Sequence, residues 1–294
     1  MYVAKIMKHR WEEEPISGIG KGFDGTFAIF FYGCNMRCIY CQNSKISRQH
    51  VSVDKKIVGS DTIRPHSGGE LSELEKTSFT AEELSDKIIK AESENVASVS
   101  FITGVLYIDE IVETIKLAKS KGSKLPMVYN SSGYETVSQI KKLDGLIDIY
   151  LPDFKYFDNE LGKKFSKVPN YADVAKACIG EMHRQIAEAK NFRSGELRGP
   201  LLIVRHLVLP NNTENSKQVI KYLYDTYGND ICLSIMSQYT PMLKNEGINE
   251  FPELMRKLTK REYDKVVDFA INLGIKNAYI QEGDVAEESF IPDF

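Results

Sequence analysis

No apolar run in the 294 residues approaches the length needed to cross a bilayer, and the opening MYVAKIMKHRWEEEP has no apolar stretch of the signal-peptide kind. Neither a membrane span nor a secretory leader is expected, and the chain reads as cytoplasmic. An excess of basic charge is missing too: 38 Lys and Arg against 41 Asp and Glu leave a formal charge of -3. Gathering phosphate backbones takes a positive field, which the modest group Lys45, Arg48, Lys55 and Lys56 does not supply, so nucleic acid is not an expected partner. Cysteine is scarce and odd in number, five in all, with Cys178 and Cys232 isolated. That is not a secreted disulfide framework, and both isolated residues read as core. Repeats and low-complexity tracts are absent as well. A hydrophobic share of 42% against 27% charged gives a chain of this length enough apolar surface for one large α/β domain.

What is present is a concentration. GCNMRCIYCQN, residues 33 to 43, holds three of the five cysteines, Cys34, Cys38 and Cys41, within eight positions. Thiolates are soft ligands for iron-sulfur clusters or zinc, and close spacing lets one loop wrap a metal. Three thiolates on a 4Fe-4S cluster leave one iron without a protein ligand, and an open coordination position marks a reactive centre rather than a structural one. The alternatives are a zinc knuckle completed by His50 and three buried cysteines with no metal.

The hydrophobic periodicity places this loop at the end of a strand, FAIFFYG (27 to 33). Residues 44 to 79 are polar and carry GS, RP and SGG breakers, which predicts a mobile insertion. A capping box at Thr80 and Glu83 opens a helix to about 94. Strands are then expected at 96 to 103, 125 to 130, 145 to 154, 201 to 209, 231 to 236 and 276 to 280. Helices are expected at 107 to 122, 134 to 143, 172 to 190, 214 to 227 and, from a second capping box at Thr259 and Glu262, up to 273. Strands separated by helices pair in parallel through right-handed crossovers, and about six βα units predict a partial or full parallel (β/α) barrel spanning 1 to 294 as one domain, with a short tail at 281 to 294.

The spacing of Cys34, Cys38 and Cys41, with the aromatic Tyr40 before the third, resembles the signature of the radical S-adenosylmethionine (radical SAM) superfamily. DGTFAIFFYGCNMRCIYCQN is similar to the entry strand and cluster loop of pyruvate formate-lyase activating enzymes. WEEEPISG, MVYNSSGYE, DIYLPDFKY, EMHRQ, VRHLVLPN and MSQYTP resemble the activating enzyme-related group. The resemblance implies a barrel of the radical SAM type, a 4Fe-4S cluster on the three cysteines, and S-adenosylmethionine (SAM) on the spare iron. It further implies reductive cleavage of SAM to a 5'-deoxyadenosyl radical that abstracts hydrogen. The substrate it points to is a glycyl radical enzyme, or else another protein, peptide or small molecule, with flavodoxin or ferredoxin as electron donor. A non-catalytic iron-sulfur or zinc protein is the alternative from a different class.

Site residues follow from the same resemblance and from strand ends. Asp153 and Lys155 lie two apart where a barrel strand finishes, on one face, and the family's Asp-x-Lys pair lies beside SAM; a surface salt bridge is the plainer reading. Arg205 interrupts an apolar strand and needs an acceptor or a polar lumen. The family places an arginine there facing SAM, while a structural ion pair remains the alternative. His206, of opposite parity, reads as packing between strand and helix. Asn130, Ser131 and Ser132 match the activases' cation and SAM segment, with Asn130 in place of an aspartate. Tyr40 is expected near the adenine. SGGE at 67 to 70 follows no strand, so Thr103 and Gly104 in FITGV stand where the superfamily's Gly-Gly-Glu binds the SAM ammonium. Glu181 and Gln185, four apart on a helix, either face the lumen or brace a loop.

Overall fold

The computed structural model describes residues 1 to 49, 77 to 192 and 201 to 281. Eight strands run in the order of the chain: β1 (Val3–His9), β2 (Thr26–Phe31), β3 (Val99–Ile102), β4 (Met127–Ser131), β5 (Ile149–Pro152), β6 (Leu201–Leu207), β7 (Cys232–Met236) and β8 (Ala278–Ile280). From β2 to β8 every pair is parallel, and β1 alone runs antiparallel, against β2. No pairing joins β1 to β8 among the described residues. The result is a curved, open sheet, the partial barrel that the strand and helix alternation predicts.

Of two short helices, α1 (Glu14–Ser17) lies between β1 and β2, and α2 (Ser44–Ser47) opens the crossover from β2 to β3. Six further strand-to-strand connections carry α3 (Ala81–Ala91), α4 (Ile108–Ser120), α5 (Val137–Lys141), α6 (Asn159–Ser166) with α7 (Tyr171–Phe192), α8 (Thr213–Tyr227) and α9 (Lys260–Leu273). Both predicted capping boxes form: Thr80 accepts from Glu83 N and Thr259 from Glu262 N, with each glutamate answering the cap's own N–H. Leu84 and Ile88 on α3, and Ile108, Ile111 and Ile115 on α4, are buried as their spacing requires.

Three features differ from the expectation. Val3–His9 forms β1, an edge strand that Lys5 and Lys8 disguise; it pairs along its length with β2. Residues 159 to 166, between the expected strand to 154 and the expected helix from 172, form α6, started by the Asp158 side chain accepting from Glu160 N. The expected insertion begins as helix α2 and ends with Ser78 bridged to Tyr2; residues 50 to 76, including His50 and SGGE, lie outside the described residues, as does nearly all of the tail.

The parallel sheet divides the interior in two. One face packs on the helices in the main core, with Phe31, Phe101, Tyr129, Phe154 and Val204 fully or almost fully buried. The other face lines the lumen. Residues 11 to 18 enter that lumen: Ile16, on α1, is completely buried among Val128, Ile149, Leu151 and Ile203 of β4, β5 and β6. Ser98 on the approach to β3 donates to the carbonyl of Ile16 at 2.7 Å. The sequence WEEEPISG is thus a plug that fills the lower barrel with apolar side chain and presents acids above it.

Candidate active site

Above the plug, at the C-terminal ends of the strands, lies a cavity of about 260 Å³. Cys34, Cys38 and Cys41 all line it, together with Tyr40, Thr103, Asn130, Ser131, Asp153, Lys155 and Arg205. Parallel sheets bring these residues together because every strand of one direction ends on the same side of the barrel. Gly104, the other sequence candidate, is not among the lining residues. A Cβ there would lie 2.4 Å from Ile111 Cδ1 and 3.5 Å from the Phe31 ring, so its lack of side chain serves the packing of α4 on β2.

The cysteine loop begins at Gly33, which takes the left-handed conformation (φ 85°) and donates to Ile46 O at 3.0 Å, folding the loop back on α2. Its far side is pinned to α6, where Arg37 N donates to Ser166 O at 3.0 Å and Ile39 N to Phe165 O at 2.9 Å. Each thiol has polar neighbours: Cys34 Sγ accepts from Met36 N at 3.4 Å and donates to Asn35 Oδ1 at 3.9 Å, Cys38 Sγ lies 3.0 Å from Ser166 Oγ, and Cys41 Sγ lies 3.3 Å from Ser47 Oγ. None of the three is in a disulfide. Burial, reinforced by its neighbour Cys38, pushes the Cys34 thiol up to about 12; burial lifts Cys38 to about 11 against the pull of Lys155. Thiolates in so dry a loop need a positive partner to form. Among the described residues no three His, Cys, Asp or Glu side chains converge on a single-ion site.

Tyr40 packs beside Tyr239, ring centres 6.1 Å apart, and its hydroxyl meets that of Tyr156 at 2.5 Å. Tyr156 continues to Ser166 at 2.7 Å, so a hydroxyl chain connects the loop's aromatic to the Cys38 thiol. Burial holds both phenols well above their usual range.

Lys155 is ion-paired with Asp153 at the end of β5. Burial works most strongly against the ammonium, but Asp153 together with the nearby Cys38 and Cys41 more than offsets it and the lysine's pKa rises. Side-chain exposures of 17% and 25% place the pair in the cavity wall rather than on the surface, which answers the salt-bridge alternative in part: a bridge exists, and it faces inward.

Arg205 reaches across the lumen to the plug. Its Nε donates to Glu13 Oε1 at 2.9 Å, its Nη2 to Glu13 Oε2 at 2.5 Å and also to Glu12. Burial disfavours the guanidinium charge, and the two carboxylates more than restore it. The same pairing holds Glu13 below the usual carboxylate range despite its burial. The arginine therefore satisfies the structural ion-pair reading while still lining the cavity; the sequence alone gives Glu12 and Glu13 no role, because their partner lies on a strand about 190 positions away. Glu12 also lines the cavity and accepts from Asn130 Nδ2 at 3.4 Å.

His206 points the other way, as parity requires. Its ring lies 2.7 Å from Phe154 O and 2.8 Å from Ser216 Oγ on α8, and burial depresses it to about 4. Glu181 and Gln185 lie outside the cavity: Gln185 Nε2 donates to Ile140 O and Glu181 binds Arg184, a brace between α7 and α5. Cys178 is core, with its S–H 3.8 Å from Glu135.

Residues 28 to 185 match the Radical SAM superfamily. The chain belongs to that superfamily. An uncharacterised protein of Methanocaldococcus jannaschii is 30% identical over 246 residues, 83% of this radical SAM chain and 62% of the relative, so the chain spans less than two thirds of the relative's length. Among solved structures, Streptococcus suis SuiB bound to the precursor peptide SuiA superposes with a TM-score of 0.51 at 11% identity, over 87% of this chain and 48% of SuiB. At that identity the likeness concerns the fold. A domain of a pyruvate-formate lyase-activating enzyme from Bacteroides vulgatus gives a TM-score of 0.44 at 15% identity, over 63% of this chain and 99% of the domain. No helix among the described residues is long and apolar enough to cross a membrane.

Proposed function

We propose that the chain is a single-cluster radical SAM enzyme that binds a 4Fe-4S cluster through Cys34, Cys38 and Cys41 and SAM in the adjoining cavity. The activity we propose is that of a cytoplasmic glycyl-radical activase of the pyruvate formate-lyase activating type, reduced by flavodoxin or ferredoxin. The observation that carries this reading is the convergence of three unlinked thiols and a row of polar strand ends on one cavity. The residues fit the two cofactors. Three soft donors on one loop suit a cluster with an open iron, and the buried hydroxyl of Ser132, which has no hydrogen-bond partner, lies in the wall where a polar ligand would supply one.

When bound, cluster and SAM supply reductive cleavage of the sulfonium and a 5'-deoxyadenosyl radical that removes hydrogen from substrate. The protein's part is positioning and exclusion of water. Asp153 and Lys155 offer opposite charges to a zwitterionic amino acid, Tyr40 and Tyr239 offer an aromatic wall to a base, and Thr103 holds the end of β3 in the left-handed conformation (φ 59°), a strained state for a β-branched residue. Beneath the cavity, Ile16 packs fully buried against Val128, Ile149, Leu151 and Ile203, so the lumen there is filled by apolar side chains.

Anaerobic reconstitution with iron and sulfide, followed by reductant and SAM, tests the reading. Brown protein that yields 5'-deoxyadenosine is expected; colourless protein with no product would refute it. A stable glycyl radical signal on an added partner protein supports the activase role, whereas deuterium exchange with a small molecule assigns the enzyme to the other substrate class.

A further inference from the structure

Cys38 differs from the other two thiols in what stands behind its polar neighbour. The residues on either side of it, Arg37 and Ile39, donate their backbone N–H groups to Ser166 O and Phe165 O, so the last turn of α6 is fastened to the loop on both flanks of the cysteine. With those carbonyls taken up, the completely buried Ser166 hydroxyl is left to address the sulfur, and it lies 3.0 Å from Cys38 Sγ. Two phenols follow in single file. The Tyr156 hydroxyl is 2.7 Å from Ser166 Oγ and 2.5 Å from the Tyr40 hydroxyl. The Tyr156 ring packs against Phe165 and Tyr171, ring centres 6.2 and 5.2 Å away, which holds its hydroxyl in line. Among the described residues no branch leaves this file: each hydroxyl bonds only to its neighbours in it. Cys41, by contrast, meets a lone hydroxyl, that of Ser47.

A hydroxyl has one proton to donate. A metal-bound thiolate can only accept, so Ser166 must donate to Cys38; Ser166 then accepts from Tyr156, and Tyr156 from Tyr40. All three O–H bonds point toward the sulfur, and each polarises the next. We infer that Ser166 tunes the cluster, its hydroxyl raising the potential at which the cluster accepts an electron, and that Tyr156 is a positioning residue that aims and polarises that hydroxyl. This rests on the proposed cluster site. Reduction adds one electron from an external donor, flavodoxin or ferredoxin in the reading above, and breaks no bond in the protein. Part of the added negative charge falls on the sulfur ligands, where a hydrogen-bond donor stabilises it, so the donor favours the reduced state.

A mediated redox titration with dithionite, followed by electron paramagnetic resonance on the reconstituted full-length chain, reads the midpoint without turnover. Ser166→Ala should disfavour reduction about tenfold, a midpoint about 59 mV lower for one electron, with iron content at the native level. Tyr156→Phe, which keeps the ring, should disfavour it about twofold, and should do nothing further in the Ser166→Ala background, where the chain is already cut. An unchanged or raised midpoint in Ser166→Ala overturns the inference, as does a Tyr156→Phe shift that is equal with and without the Ser166 hydroxyl. If Ser166→Ala fails to retain the cluster, Tyr156→Phe decides alone, and a native midpoint in that variant sinks the proposal. Native protein that takes up no iron and sulfide fails the underlying cluster reading instead, a distinct result.

Discussion

The upper and lower halves of the lumen are built from the same strands and have opposite characters. Below, Ile16 seals Val128, Ile149, Leu151 and Ile203 into a dry cluster. Above, two residues further along the same faces, Asn130, Asp153 and Arg205 line a polar cavity with the three cysteines. Strand alternation makes this possible, since residues i and i+2 share a face and each step of two climbs one layer. The boundary is the Glu12–Glu13–Arg205 layer, in which the plug's acids neutralise the one cation of β6 that points inward. Fold and chemistry are thus stacked, and a change in one layer should leave the other measurable.

The largest expected effect is confined to the upper half. Cys38→Ala should reduce iron retention after anaerobic reconstitution to background while thermal unfolding stays near native, because the lower cluster is untouched. Full iron content and colour in that variant would remove the loop as ligand set. Next comes the boundary layer. Glu13→Ala leaves a buried guanidinium with only Glu12, and breaking a buried ion pair from one side costs about 3–5 kcal/mol. Urea unfolding should report that loss; a change under 1 kcal/mol, on the scale of a surface pair, would mean that water reaches Arg205 and that the plug does not seal.

The outer face of β6 supplies a third contrast. His206 is held near 4 against an ordinary 6.5, because burial disfavours its charged form. The unfolded chain therefore binds more protons between those values, and folding stability should fall as pH drops from about 6.5 to about 4, by about 3 kcal/mol in all. Denaturation midpoints across that window, compared with those of His206→Gln, check the sign and size. An identical slope in the variant would assign the acid sensitivity to other groups.

The sequence shows the two halves unequally, for physical reasons. The parallel strands are apolar runs between amphipathic helices, so periodicity finds them, and the capping boxes at Thr80 and Thr259 are local signals that do not depend on tertiary context. The cysteine spacing is equally local. What hides is pairing across the chain. β1 escapes because an edge strand with half-exposed lysines has no continuous apolar run, and α6 because its eight mostly polar residues gain stability from the loop they brace. The acids of the plug are visible as letters, but only Arg205, about 190 positions away, gives Glu12 and Glu13 their role. The unpartnered oxygen of Ser132 is likewise a property of the assembled wall.

The smallest effect is the one that best separates ligand binding from folding. Lys155→Ala removes an ammonium from the upper wall, but Asp153 remains 25% exposed on its side chain and can turn toward water, so stability should change little. Affinity for SAM should fall about tenfold, the size of one charge-assisted hydrogen bond, with iron content unchanged. Calorimetric titration on reconstituted protein measures the first and an iron assay the second. Unaltered affinity would mean that the Asp153–Lys155 pair stays closed when ligand binds and acts as framework, so that the carboxylate of the ligand must find its partner elsewhere in the wall.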